Sequence, residues 1–455
     1  VSTQRSAQFA ARWNQPASTC EKTFEPRRQA DSAIKPVVSA VVNTDSVTAF
    51  GLFVATLFIG QLGTKGALTI VGLTGAYGLL HIMRLPEILR PRAFILAIPL
   101  VVIFSTFWSE TPSETLKYSI EFAITVGAAL MLSASHRPMA VLFGLFAAFA
   151  VYIAVSLAFG QTVQLGITGA TAFSGLNRGK NLLADIASTG LLVSAAMFLA
   201  AAAERRLFLI AGAALVSLLQ LHVLIEARSA GAMLGFGLAA SVFMFLLALR
   251  SVGLAIRAAV TSFLVLCLLS ASLSYRFLSS ALIDTGARFF DKDPTLTGRT
   301  YLWQRAFDLI NETPWLGRGF GSFWQQGNPD AEGLWQFAGI GSRSGFNFHN
   351  TAVEILVHLG WFGLIICTVV MIIAVGFLVA RFLARPNLFH CFWLSVLTYE
   401  MVRTPIESIG LNEFYFSTLL LFMALGSAFA LPVRRPVAVR SRHHSRAVAR
   451  GPAVA

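Results

Sequence analysis

Apolar residues in this chain fall into long, nearly uninterrupted blocks separated by short polar breaks. Most blocks approach the ~20 residues that a helix needs to cross ~30 Å of hydrocarbon. A helix satisfies its own backbone hydrogen bonds, so it is the natural spanning element for such blocks; a transmembrane barrel would show short alternating strands instead. The pattern predicts about twelve spans, near 47–63, 66–83, 93–108, 118–135, 139–160, 182–203, 207–225, 230–249, 258–275, 351–380, 388–403 and 414–431. The expected fold is therefore an all-α integral membrane protein.

Three polar stretches interrupt the pattern. Residues 1–46 lack a signal-peptide apolar core and read as a disordered cytoplasmic tail. Residues 432–455 form a basic tail beside the membrane lipids, with Arg434, Arg435, Arg440, Arg442, Arg446 and Arg450. Between the blocks of spans at 47–275 and 351–431, residues 276–350 make one large polar loop. Within it Thr300 to Asn311 reads as an amphipathic helix. Leu302, Trp303, Ala306, Phe307 and Ile310 share one face; Gln304, Arg305, Asp308 and Asn311 share the other. Such a helix lies on the bilayer or on the bundle, with Arg299 at its N-terminus. Pro314 ends it, and Gly317, Gly319 and Gly321 permit tight turns.

Composition excludes a soluble protein. The chain is 56% hydrophobic and 13% charged, with a mean hydropathy of +0.69. Its four cysteines have no metal-ligand spacing. The net charge of +13 is topological rather than a nucleic-acid footprint. The short loops on one side hold Arg84, Arg90, Arg92, Arg137, Arg205, Arg206, Arg250, Arg257, Arg381 and Arg385. Those on the other hold Lys65, Lys117, Arg178, Lys180, Arg228 and Arg403. The positive-inside rule then puts both tails in the cytoplasm and the 276–350 loop outside, in the periplasm of a bacterial cell.

Translocation disfavours cations, so the outer ones call for a reason. Four outer groups stand out: Asn177-Arg178-Gly179-Lys180-Asn181 with Asp185 one turn later, Glu226-Ala227-Arg228-Ser229, Arg299, and His349-Asn350. Taken singly, each has an ordinary explanation, since an arginine at a membrane edge is usually a snorkelling anchor. Together they supply bidentate anion binders, a point charge and a side chain that exchanges protons near neutrality. That set suits transfer from a diphosphate leaving group at a membrane edge. Glu354, one turn after Asn350, is placed to orient His349. Asp185, Glu354 and Glu400 are ionisable groups in or beside spans, and such groups are candidates by default. A transporter or flippase stays open as another class, although the sequence shows no internal repeat of the kind many transporters have.

The residues also match a family pattern. His349-Asn350, nine residues, then Gly360-Trp361-Phe362-Gly363 follow Thr297-Gly298-Arg299-Thr300-Tyr301-Leu302-Trp303 and Pro314-Trp315-Leu316-Gly317-Arg318-Gly319. In these motifs the chain resembles the O-antigen ligase and O-antigen polymerase superfamily of bacterial membrane glycosyltransferases. The resemblance implies a GT-C-like bundle in the inner membrane and a donor glycan on undecaprenyl diphosphate, with no metal, nucleotide sugar or other cofactor. It implies catalytic roles for Arg228, Arg299 and His349; beside these, the polar residues Lys180, Asn181, Asp185, Arg318, Asn350 and Glu354 are candidate substrate contacts. The acceptor is then a sugar on a second lipid carrier or on a lipid A core, with a chain-length regulator as a candidate partner. Gly179-Lys180-Asn181 is similar to a stretch in exopolysaccharide polymerases of this group, which favours polymerase over ligase. The ligase pattern Ser-Arg-Gly is altered here to Arg228-Ser229-Ala230-Gly231.

Overall fold

A computed structural model of the chain describes residues 42–165, 170–177, 179–273 and 299–429. Residues 1–41 of the expected N-terminal tail, the expected C-terminal tail, the first part of the large loop with Thr297 and Gly298, and Arg178 lie outside the described residues; the last residues of the expected N-terminal tail are in fact the start of the first helix. The chain is a helical bundle. Its helices are α1 (Thr44–Leu57), α2 (Thr64–Leu80), α3 (Ile82–Trp108, with 3-10 turns), α4 (Pro112–Ser133), α5 (Pro138–Phe159), α6 (Lys180–Ala203), α7 (Leu207–Glu226), α8 (Ala230–Leu249), α9 (Leu254–Leu273), α10 (Arg299–Glu312), α11 (Pro329–Phe337), α12 (Thr351–Ala384), α13 (Leu388–Arg403) and α14 (Phe416–Ser427). Seven of them are long and apolar enough to cross a membrane: α3 to α8 and α12. The main core runs through paired helices, α1 with α5, α6 with α7, α8 with α13 and α4 with α14.

One feature departs from the all-helical expectation. Two short strands, β1 (Gln161–Leu165) and β2 (Ala170–Gly175), pair antiparallel, Thr162 with Phe173 and Val163 with Ala172. Their alternation covers too few residues to stand out between two spans. The strand pair precedes Lys180, the first residue of α6.

A second, smaller core lies under the large loop. Leu302, Ala306, Leu309 and Ile310 of α10 pack with Phe323, Trp335, Phe348 and Val353. The amphipathic helix therefore rests on the bundle. Its buried face is rotated slightly from the sequence expectation, since Leu309 is buried whereas Phe307 is exposed.

The loop is fastened at a break in α12. Gly360 has φ 62° and ψ −166°, which interrupts the helix after nine residues. Helical bonding fails there, and the segment after α10 replaces it. Arg318 N–H donates to Val357 C=O (2.9 Å) and Gly319 N–H to His358 C=O (2.9 Å), while Trp361 N–H donates to Pro314 C=O (2.9 Å) and Phe362 N–H to Trp315 C=O (3.1 Å). Backbone this close leaves no room for side chains. A Cβ on Gly317, itself at φ 66°, would stand 2.6 Å from both His358 C and Leu359 N. Gly317→Ala is expected to lower thermal stability by more than the ~1–2 kcal/mol of left-handed backbone alone. Unfolding of the purified variant in detergent checks this, with Gly333→Ala, where an added Cβ meets nothing, as the control.

Candidate active site

The turn between α7 and α8 consists of Ala227, Arg228 and Ser229, and Arg228 sits at φ 48°. Its guanidinium is exposed and meets no described carboxylate. Two side chains from the start of α6 hold this turn. Lys180 Nζ donates to the Arg228 carbonyl (3.4 Å), and Ser229 Oγ donates to Asn181 Oδ1 (3.0 Å). The first two polar groups of the sequence are thus joined by direct contact.

Asp185 follows one turn into α6 and forms an ion pair with Arg403, the last residue of α13; both side chains are buried. Breaking such a pair leaves an uncompensated buried charge, at a cost of about 3–5 kcal/mol. Arg403 also lies over the Tyr399 ring, 4.9 Å from its centre. Past Arg403 the chain leaves the helix as Thr404-Pro405-Ile406-Glu407, and this short segment gathers the remaining groups. It packs on the start of α8, where a Cβ on Gly231 would come within 2.7 Å of Ile406 Cδ1. Arg299 Nη1 donates to Ile406 C=O (2.8 Å), and Arg299 Nη2 lies 3.6 Å from Glu407 Oε1. The other oxygen of Glu407 lies 3.1 Å from His349 Nδ1.

Asn350 and Thr351 strap this segment to α12. Asn350 caps the helix by accepting from Val353 N–H (3.1 Å), and its Nδ2 donates to Pro405 C=O (3.3 Å). Thr351 N–H donates to Thr404 C=O (2.9 Å), and its hydroxyl donates to Glu407 C=O (2.9 Å). His349 precedes the cap at φ 51°. A carboxylate only accepts, so in the neutral ring the proton sits on Nδ1, facing Glu407, and Nε2 carries the lone pair. Burial would raise the Glu407 carboxyl, but the hydrogen bond and charge of His349, followed by Arg403 and Arg299, outweigh it and hold the group below its ordinary range.

One expectation is corrected by these contacts. Glu354 does not orient His349. It accepts from Phe348 N–H (2.8 Å), Trp324 Nε1–H (3.0 Å) and Ser408 Oγ–H (3.1 Å), knotting the loop to α12. The carboxylate that orients His349 is Glu407, which the sequence reading missed. Its only sequence signal is an acid after a proline turn in a short break between two spans. Arg318 is not brought to His349 by any described contact; it pairs with Glu110 (2.6 Å) and Glu312 beside the Gly360 break.

The profile of the O-antigen ligase family matches residues 215–368, the stretch holding Arg228, Arg299, His349 and the Gly360 break. The chain is also 32% identical over 355 residues to the exopolysaccharide production protein ExoQ of Rhizobium meliloti (strain 1021), an overlap covering 76% of this chain and 78% of that protein. The chain belongs to the O-antigen ligase and polymerase superfamily. As a superfamily member it is a multi-pass membrane enzyme of the ligase or polymerase type, not a transporter by kinship. Within the superfamily profile lie three of the cations and the histidine; Lys180 and Glu407 fall outside it.

Two outcomes test this geometry. Arg403→Ala is expected to destabilise the purified protein by about 3–5 kcal/mol, read as loss of folded protein in a denaturant titration. Because the folded Glu407 carboxyl lies below its unfolded value, its contribution is complete above about pH 4.3 and disappears as pH falls through the lower folded value. The acid limb of thermal stability against pH should accordingly be flatter in Glu407→Gln than in the parent.

Proposed function

We propose that this protein is a polysaccharide polymerase acting at the outer face of the bacterial inner membrane. It transfers a glycan from undecaprenyl diphosphate to a sugar hydroxyl of a second lipid-linked repeat unit. The observation that carries the reading is the sharing of Glu407 by Arg299 and His349, next to the turn that presents Arg228. The kinship to an exopolysaccharide production protein supports polymerase over ligase.

In this mechanism the acceptor oxygen forms a bond to the donor's anomeric carbon as the bond from that carbon to the diphosphate oxygen breaks. His349 Nε2 takes the acceptor's proton, and Glu407 stabilises the imidazolium from the Nδ1 side. The electron pair of the broken bond leaves on the lipid diphosphate. Arg228, exposed and at the end of a rigid turn, grips that anion; Lys180 adds charge from α6, and Arg299 is held for the same task by Ile406 and Glu407. Asp185 acts through Arg403, and Asn350 by positioning His349. The periplasmic placement of this end rests on the distribution of arginines, which crowd the opposite loops. A ligase that moves finished glycan to a lipid A core or protein is the second reading, favoured by the family profile itself.

The test is the size distribution of lipid-linked and released glycan in a deletion strain. A polymerase leaves single repeat units, corrected by the wild-type gene and not by Arg299→Ala or His349→Ala. Loss of the base alone should cut polymer yield by about 10²-fold or more. Full-length polymer stranded on the carrier indicates the ligase. Normal glycan in every strain, or normal polymer from the two variants at equal protein level, overturns the assignment.

A further inference from the structure

At the end of the bundle opposite His349, α12 finishes near Arg381 and α13 begins at a cap formed by Asn387. A cleft of about 680 Å³ opens there. Arg84, Arg92, Arg381 and Arg385 line it, against one carboxylate, Glu87. None of the four arginines forms an ion pair with a described carboxylate. Asp45 reaches the rim residue Ser135, but its two oxygens accept from the hydroxyls of Tyr77 and Ser135.

Arg92 is the informative member. Its side chain is 1% exposed. Its Nε donates to Gly426 C=O (3.0 Å) and its Nη1 to Ile88 C=O (2.8 Å), whereas Nη2 is buried with no hydrogen-bond partner. Topology explains arginines at this end of the molecule. It does not explain one that is buried with an unanswered donor, nor four gathered round a single cleft where like charges repel. An oxyanion answers both. The cleft also has an apolar side, formed by Phe389 and Trp393, which continues into a recess lined by Leu142, Leu145 and Met423.

We propose that this cleft binds a phosphate ester, its oxygens held by Arg92, Arg381 and Arg385 and its apolar portion lying against Phe389 and Trp393. A membrane phospholipid headgroup and a soluble organic phosphate share that chemistry. The site is separate from the His349 end and stands whether or not the chain is a polymerase.

The test uses the full chain purified in detergent. Native mass spectrometry compares retention of phosphatidylglycerol with that of phosphatidylcholine, and thermal unfolding is followed with and without glycerol 3-phosphate. A phosphatidylglycerol preference of about tenfold, lost in the Arg381→Gln/Arg385→Gln double variant but kept in Arg305→Gln on the outer loop, assigns a lipid headgroup. A rise in unfolding temperature with glycerol 3-phosphate, abolished in the same double variant and without lipid preference, assigns a soluble phosphate. Arg385→Gln alone, exposed at the helix end, serves where the double variant does not fold, with a partial loss expected. Equal retention of both lipids with no thermal shift overturns the proposal, as does a preference that the cleft variants leave unchanged.

Discussion

A helix in an apolar environment cannot break without stranding backbone groups, and each buried group left unpaired costs about 1–3 kcal/mol. Gly360 makes such a break, and residues 314–319 supply the missing partners. Much else depends on this exchange. It turns a polar loop into a structural part of the bundle, ties α10 to α12 through a shared core, and fixes the distance from the break back to His349. The glycines at 317 and 360 are needed because backbone meets backbone there, with no gap for a Cβ.

The electrostatics of the His349 end are arranged by pairing rather than by accumulation. Asp185 answers Arg403 inside the bundle, and Glu407 divides its two oxygens between Arg299 and His349. Both contacts are charge-assisted, so the segment between them, residues 403–407, is held at either end. The Thr351 backbone N–H and the Asn350 side-chain amide, which donate to Thr404 C=O and Pro405 C=O, hold its middle. The opposite end of the bundle follows another rule: its arginines have few acids among them and surround an open cleft.

Seven of the twelve expected spans coincide with helices long and apolar enough to cross a membrane among the described residues; they were legible because block length separates a membrane helix from other elements, and α10 was legible because its apolar positions recur at helical spacing. The contacts that complete the candidate site were not. Glu407 lies 58 residues beyond His349, and no local rule links the two. Glu354 was assigned to His349 by helical spacing, yet that spacing applies only within a helix. His349 lies before the cap, at φ 51°, outside the helical register, and its Nδ1 meets Glu407 instead. Phe307 and Leu309 differ from the expectation for a related reason: the residues packed beneath α10, not the helix period alone, decide which edge of the stripe is covered.

Arg228 and His349 share a backbone property with a consequence for how such a protein drifts. Both hold a left-handed conformation that a glycine adopts without penalty and that other residues adopt at about 1–2 kcal/mol. Backbone strain alone would therefore push each position toward glycine. At Arg228, whose guanidinium meets no described carboxylate, nothing described opposes that drift, whereas at His349 the contact with Glu407 does. Backbone strain and the proposed chemistry thus draw the sequence in opposite directions, most freely at Arg228.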